Sequence, residues 1–221
     1  VLAAKHILST EVDTGLPAGP SESIILADDS VDILTVVTDL LIEAEHGPDS
    51  AAYLVTTDRK LAGKALELIP VLVSRLPEER RAFCTEVFRS NGGVVLAADT
   101  ADAIDFIDSF APEHLQILTK NPSEVLEEVK YAGEALLGPY TPGTLANYSI
   151  GPNAILPTSR FARTASALSV RDFTRRMSFS IVTEQGFQWL APKTLALAKY
   201  EGFAAHAGAL THRLERKYEP S

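Results

Sequence analysis

Glu113 and His114 stand side by side in Ala111-Pro112-Glu113-His114-Leu115-Gln116-Ile117, a carboxylate and an imidazole at the junction of two elements. Such a pair can divide proton chemistry, one group activating water while the other moves a proton. On its own, a Glu-His dipeptide is more often a solvated Glu beside a structural His. Further donors lie elsewhere. Glu43 and His46, three apart in Glu43-Ala44-Glu45-His46-Gly47-Pro48, project from one side of a helix's last turn. That spacing recurs as a metal-ligand arrangement on helices, although a His near a helix C-terminus also interacts well with the helix dipole. His206 sits in Glu201-Gly202-Phe203-Ala204-Ala205-His206, on a small-residue face that suits close packing. His6 and His212 have no suggestive neighbours and read as surface residues.

The elements that must position these groups follow from periodicity. Pro112 lacks a backbone donor and restricts the residue before it, so a helix over 102–110 ends there and a short buried strand follows over 115–118. Upstream, 24–27 reads as a strand, and Ser30 caps a helix with Ile33, Val36, Val37, Leu40, Leu41 and Ala44 at helical spacing. A strand over 53–56 precedes a helix over 59–76. Pro77 opens the next helix, and Gly92-Gly93 closes it. Strands over 94–97 and 135–137 and a helix over 123–131, ended by Gly133, complete an alternating pattern. Strands alternating with helices imply an α/β fold, a partial Rossmann-like parallel sheet with helices on both faces.

Residues 139–170 are rich in Pro, Gly, Ser, Thr and Asn, a long irregular stretch of the kind that carries function. A helix over 171–177, a strand over 179–182 and helices over 187–200 and 202–218 form a small helical C-terminal tail. The expected organisation is 1–22 as the end of an upstream domain, 23–170 as the α/β domain and 171–221 as a dimerisation tail.

Composition excludes several classes. A net charge of −9 opposes nucleic-acid binding, which needs basic surface, and Arg160, Arg163, Arg171, Arg175 and Arg176 are the only cationic concentration. The single cysteine, Cys84, cannot form an internal disulfide and fits a reducing, cytoplasmic setting. No uninterrupted apolar stretch is long enough to span a bilayer. The chain starts at Val1 without Met, which reads as a fragment, a processed chain or an incomplete one.

Four segments occur in an order that resembles the histidinol dehydrogenase family. They are Pro17-Ala18-Gly19-Pro20-Ser21-Glu22, Ala44-Glu45-His46-Gly47-Pro48-Asp49-Ser50, Pro112-Glu113-His114-Leu115, and Gly151-Pro152-Asn153-Ala154-Ile155-Leu156-Pro157-Thr158. Members are zinc- and NAD-dependent enzymes that oxidise an amino alcohol through the aldehyde to the acid, in histidine biosynthesis L-histidinol to L-histidine. The resemblance covers essentially the whole chain and implies the C-terminal half of such a protein. It implies Glu113 as the activator of water and His114 as the base that takes the alcohol proton and touches substrate. Ser21 and Glu201 match substrate-contacting positions. His46 and His206 match zinc-binding histidines that also border the substrate. The tail bearing Glu201 and His206 would reach a partner's active site, hence a homodimer with tail exchange.

Two metal positions depart from the family pattern. Glu43 stands where the family has Gln, and Asn147 where it has Asp, so carboxylate and amide change places and the ligand inventory is kept. The implied zinc set is Glu43, His46, Asn147 and His206, and oxygen and imidazole donors suit zinc. Ala154 replaces a His near the substrate, which is expected to change substrate preference. A paralogous branch resembling sulfopropanediol dehydrogenase fits that change. No Gly-x-Gly-x-x-Gly fingerprint follows a strand. The resemblance implies NAD contacts lying mostly in a missing half, so the chain alone is expected to be inactive. Two other readings stay open: a non-catalytic zinc-binding or dimerisation derivative, and a purely structural α/β chain.

Overall fold

Alternation along β1 (Glu22–Ala27) sends Ile25 and Ala27 to one side of a sheet and Ile24 and Leu26 to the other, and all four are buried. A strand apolar on both sides needs cover on both sides, and the chain supplies it. The computed structural model describes residues 2–16, 18–151 and 153–216. Pro17, Pro152 and Tyr218, which the expected motifs and last helix include, lie outside the described residues.

Four further strands join β1: β2 (Ala51–Thr56), β3 (Gly92–Leu96), β4 (His114–Leu118) and β5 (Glu134–Leu137). Their order is β3-β2-β1-β4-β5, with every pairing parallel. This is a doubly wound, Rossmann-like order, reversing direction between β1 and β4. After an initial helix α1 (Leu2–Leu8), which the sequence reading did not anticipate, the crossovers divide by face. Helices α2 (Ile33–Ala44), α3 (Arg59–Val73) and α4 (Glu78–Ser90) pack with Ile25, Ala52, Leu54 and Leu118. Helices α5 (Thr100–Phe110) and α6 (Pro122–Glu128) pack with Ile24, Val55, Leu115 and Ile117 on the other. The expected parallel sheet with helices on both faces is what forms.

Three of the crossover helices begin on an aspartate. The carboxylates of Asp32, Asp58 and Asp99 accept the backbone N–H of Thr35, Lys60 and Asp102 and open α2, α3 and α5. The expected cap, Ser30, instead turns its hydroxyl to Asp28, because Asp32 is adjacent to the first helical residue. Asp58→Ala should cost about 1 kcal/mol of stability in a denaturant titration, with the loss confined to the α3 start in hydrogen exchange. An unchanged midpoint would show that Asp58 does not act as a cap.

Other expectations need correction. Gly92 and Gly93 do not close α4, which ends at Ser90; they open β3, and a Cβ on Gly92 would lie 2.6 Å from the Ala52 carbonyl oxygen. The glycine is required by the closeness of the neighbouring strand. The helix over 59–76 stops at Val73. The stretch over 139–170 contains a short helix, α7 (Gly143–Tyr148), and a 3-10 turn, Phe161–Arg163. Arg163 ties that turn to the α/β body, donating to the Asp108 carbonyl at 2.6 Å and lying over the Tyr131 ring at 4.8 Å.

By its contacts the chain divides into two compact units, Val1–Thr174 and Arg175–Ser221. The expected helix over 171–177 shrinks to a 3-10 turn, Val170–Phe173, closed by reciprocal hydrogen bonds between Ser169 and Asp172. Val170 and Phe173 are exposed, so no burial prolongs the turn. Residues 179–182 do not form the expected strand: Phe179, Ile181 and Val182 are exposed and have no ladder partner among the described residues. In the second unit, α8 (Glu184–Tyr200) packs against α9 (Ala204–Leu214). Among the described residues no helix is long and apolar enough to cross a membrane.

Candidate active site

Ala111 caps α5 in the left-handed conformation, at φ 54° and ψ 66°. Pro112 bars the residue before it from continuing the helix, and a buried Ala accepts the turn at a cost of about 1–2 kcal/mol. The chain therefore leaves α5 sharply, and Glu113 and His114 reach the amino end of β4. The carbonyls of Pro112 and Glu113 accept the N–H groups of Gly133 and Glu134 at 2.9 and 3.0 Å, which fixes the head of β4 against β5.

Along β4, Leu115 and Ile117 fill the core beneath α5 and α6, so His114 and Gln116 face α2. On α2, Asp39 and Glu43 are four apart and share one side of the helix. Strand and helix repeats thus match. Gln116 donates to Asp39 Oδ2 at 2.7 Å, and His114, Glu43, Asp39 and Ser23 line a common small cavity of about 20 Å³. Glu43, His114 and Glu113 are all buried.

The electrostatics are unusual for so buried a place. The Glu22 N–H donates to Glu113 Oε2 at 3.0 Å, and His114 Nε2 lies 3.6 Å from the same oxygen. Burial pushes the Glu113 carboxyl up to about 7; His114 and the Glu22 N–H offset this in part, and the charges of Glu43 and Glu22 add to it. For His114, burial alone would disfavour the imidazolium. The hydrogen bond to Glu134 and the charges of Glu43, Glu113 and Glu134 outweigh it and hold the pKa above the ordinary imidazole value. Glu113 thus titrates at about 7 and His114 above an ordinary imidazole, a pair suited to proton transfer.

Glu43 is the other focus. Its Oε2 lies 3.2 Å from His46 Nδ1, and its Oε1 is buried with no hydrogen-bond partner. His46 Nδ1 also meets the Ile42 carbonyl at 2.9 Å, which leaves Nε2 for another partner. Asn147, on α7, shares a cleft with His46, Ile42, Thr144, Tyr148, Glu45 and Arg80. A buried carboxylate oxygen with nothing to bind, an imidazole beside it and an amide across the same cleft fit an oxygen- and nitrogen-liking cation such as zinc.

The predicted site residues are thus gathered in part. Ser21 immediately precedes β1 and accepts the Ala51 N–H through its carbonyl, at the same amino edge as Glu113. Glu43, His46, Glu113, His114 and Asn147 belong to that edge or to the cleft beside it. Glu201 ends α8 and His206 lies on α9 against the Phe203 ring, both in the second unit. Among the described residues no three His, Cys, Asp or Glu side chains form a metal cluster. Ala154 is exposed, in the irregular segment after α7.

Three functional partners were not foreseen. Glu134 accepts from or shares a proton with His114 Nδ1 at 2.7 Å, Glu22 supports Glu113, and Asp39 holds Gln116. Their signal was register: His114 pairs with both Ser23 and Glu134, so residues heading three neighbouring strands meet. A reading of isolated segments does not contain that pairing.

A family model described as histidinol dehydrogenase matches residues 1–214. "Histidinol dehydrogenase homolog 2" of Mesorhizobium japonicum is 52% identical over 217 residues, covering 98% of this chain and 49% of that protein. The histidinol dehydrogenase of Synechocystis sp. is 50% identical over 211 residues, covering 96% and 49%. The crystal structure of histidinol dehydrogenase from Elizabethkingia anophelis superposes with a TM-score of 0.86 at 32% identity, over 96% of this chain and 49% of that one. The chain spans about half the length of the curated relatives it matches. With the fold, the motif order and the matching length in agreement, the chain belongs to the histidinol dehydrogenase family.

Proposed function

We propose that this chain carries the acid–base and metal-binding part of a zinc- and NAD-dependent dehydrogenase that oxidises a small alcohol, L-histidinol or a related amino alcohol, through the aldehyde to the acid. The observation that carries the reading is the buried pair Glu113–His114, 3.6 Å apart at the head of β4, each with its pKa raised. Once unprotonated, His114 takes the proton of the substrate hydroxyl at Nε2, the nitrogen that faces Glu113. Ionised Glu113 draws a proton from water, which adds to the aldehyde carbon ahead of the second oxidation. Ser21 and Glu201 contact the substrate.

Glu43, His46 and Asn147, with His206 of the partner subunit, would hold the zinc, which would supply Lewis-acid polarisation at the substrate oxygen. The hydride acceptor in this reading is NAD, for which the described residues offer no Gly-rich phosphate cradle. This chain's own contribution is therefore binding and proton movement. Residues 1–22 belong with the NAD-side domain, 23–170 with the α/β domain, and 171–221 with a tail exchanged between the subunits of a cytoplasmic homodimer.

Zinc analysis of the protein expressed from its complete reading frame should find one metal per site, and His46→Ala should lose it. Metal-free, fully active protein would refute the assignment. A panel of small alcohols tests the substrate. Ala154 and the exchanged Glu43 and Asn147 should leave histidinol turned over roughly tenfold to a hundredfold less efficiently than the best substrate, matching a lost polar partner at about 1–3 kcal/mol. Histidinol as the clear winner would mean that Ala154 is silent, and no NAD reduction with any alcohol would remove the dehydrogenase reading.

A further inference from the structure

The Glu134 side chain keeps 10% of its surface exposed and that of the histidine it touches 7%. Its Oε1 lies 2.7 Å from His114 Nδ1. The contact follows from the strand register. His114 and Glu134 are direct partners at the amino ends of β4 and β5, so their side chains leave the sheet on the same side. Gly133, just before, lets the two backbones close: a Cβ there would lie 2.5 Å from the Glu113 carbonyl oxygen. The carboxylate is therefore placed by backbone pairing at the head of the sheet.

We propose that Glu134 is a positioning residue for the base: it holds His114 as the tautomer protonated at Nδ1, turning the Nε2 lone pair toward the substrate hydroxyl. Neutral imidazole has one donor and one acceptor nitrogen, and the partner of one nitrogen decides the role of the other. An ionised carboxylate only accepts hydrogen bonds, so a proton on Nδ1 gains a short charge-assisted bond at 2.7 Å. The opposite tautomer would bring two lone pairs together in a buried place. Nε2 lies 3.6 Å from Glu113 Oε2, beyond a direct hydrogen bond, and so remains available to substrate. A burial of two polar groups that served packing alone would be costly unless their pairing were specific.

The proposal rests on the reading of His114 as the base, and the experiment separates the two. The complete protein is labelled with ¹⁵N-histidine, and the His114 ring signals are assigned by their loss in His114→Asn. At a pH where the ring is neutral, the wild type should show Nδ1–H and an unprotonated Nε2. Glu134→Gln should keep that pattern, because the amide oxygen still accepts. Glu134→Ala should raise the Nε2–H population. In alcohol oxidation, Glu134→Ala should lower kcat about tenfold to a hundredfold with KM within about twofold, and Glu134→Gln should recover most of the loss, as for outer partners that orient a histidine. An unchanged tautomer in Glu134→Ala overturns the proposal whatever the rates. A changed tautomer with unchanged kcat, or a loss appearing in KM alone, overturns the positioning role. A wild type that oxidises no alcohol defeats the dehydrogenase reading, while the ring signals still decide what Glu134 does to His114.

Discussion

His114→Ala should depress alcohol oxidation by about 10²–10⁴-fold, the usual contribution of a general base. Glu113→Gln should largely spare the first oxidation and depress aldehyde oxidation by a similar factor. Supplying the aldehyde directly separates the two, because only the second step uses water. The pH dependence has a definite sign. In the proposed roles both groups work in their unprotonated forms, and both have their pKa raised: Glu113 to about 7 by burial, and His114 above its ordinary value by the Glu134 hydrogen bond and surrounding carboxylates against the pull of burial. Activity in acid production should therefore climb as pH rises through about 7 and continue upward on the alkaline side of an ordinary histidine. A rate already maximal at pH 6, or either variant producing acid at the normal rate, would remove these assignments.

Gly133→Ala should be the most damaging change of a single methyl near the site. The added carbon would meet the Glu113 carbonyl oxygen at 2.5 Å, and backbone rather than a flexible side chain stands in its way. The heads of β4 and β5 must part, weakening the Gly133 N–H bond to Pro112 and the Glu134 N–H bond to Glu113. Overpacking of this kind costs about 1–3 kcal/mol, and chemical denaturation would register it. The same displacement moves Glu113 and His114 and draws Glu134 away from the ring, so activity should fall more than stability alone explains. Wild-type stability and activity together would show that the strand heads can yield at no cost.

What the sequence revealed and what it withheld have physical causes. Apolar runs such as those in β1 and β4 declare themselves because both faces are buried, and α2 declares itself through Val36, Val37, Leu40 and Leu41. The turn at Ala111-Pro112 was legible because proline acts locally. The error at Gly92-Gly93 had the opposite origin: glycine ends helices and also admits close strands, and only the position of Ala52 separates the two. Residues 179–182 carry a strand's composition, yet a strand needs a partner to pair with. Glu113, His114 and His46 could be named from the ordered motifs, and Glu43 and Asn147 from the positions the resemblance implies. Glu134 and Asp39 could not, because their roles exist only once β5 lies beside β4 and Asp39 on α2 comes within reach of Gln116.

The aspartates that start the crossover helices decide which edge of the sheet can receive an anion. In many α/β proteins the carboxyl edge offers free N–H groups at helix starts, and phosphate settles there. Here Asp32, Asp58 and Asp99 each take one of those donors, and the Asp28 carboxylate takes the N–H groups of Ser30 and Lys120 beside the β1–β4 crevice. An approaching phosphate meets negative charge there. The opposite edge gathers Glu22, Glu43, Glu113 and Glu134 with the C-terminal end of α2, a setting that attracts cations and protons. The sheet is thus polarised against its usual sense. Negative charge crowds the customary crevice, while the amino ends of the strands gather the carboxylates around His114.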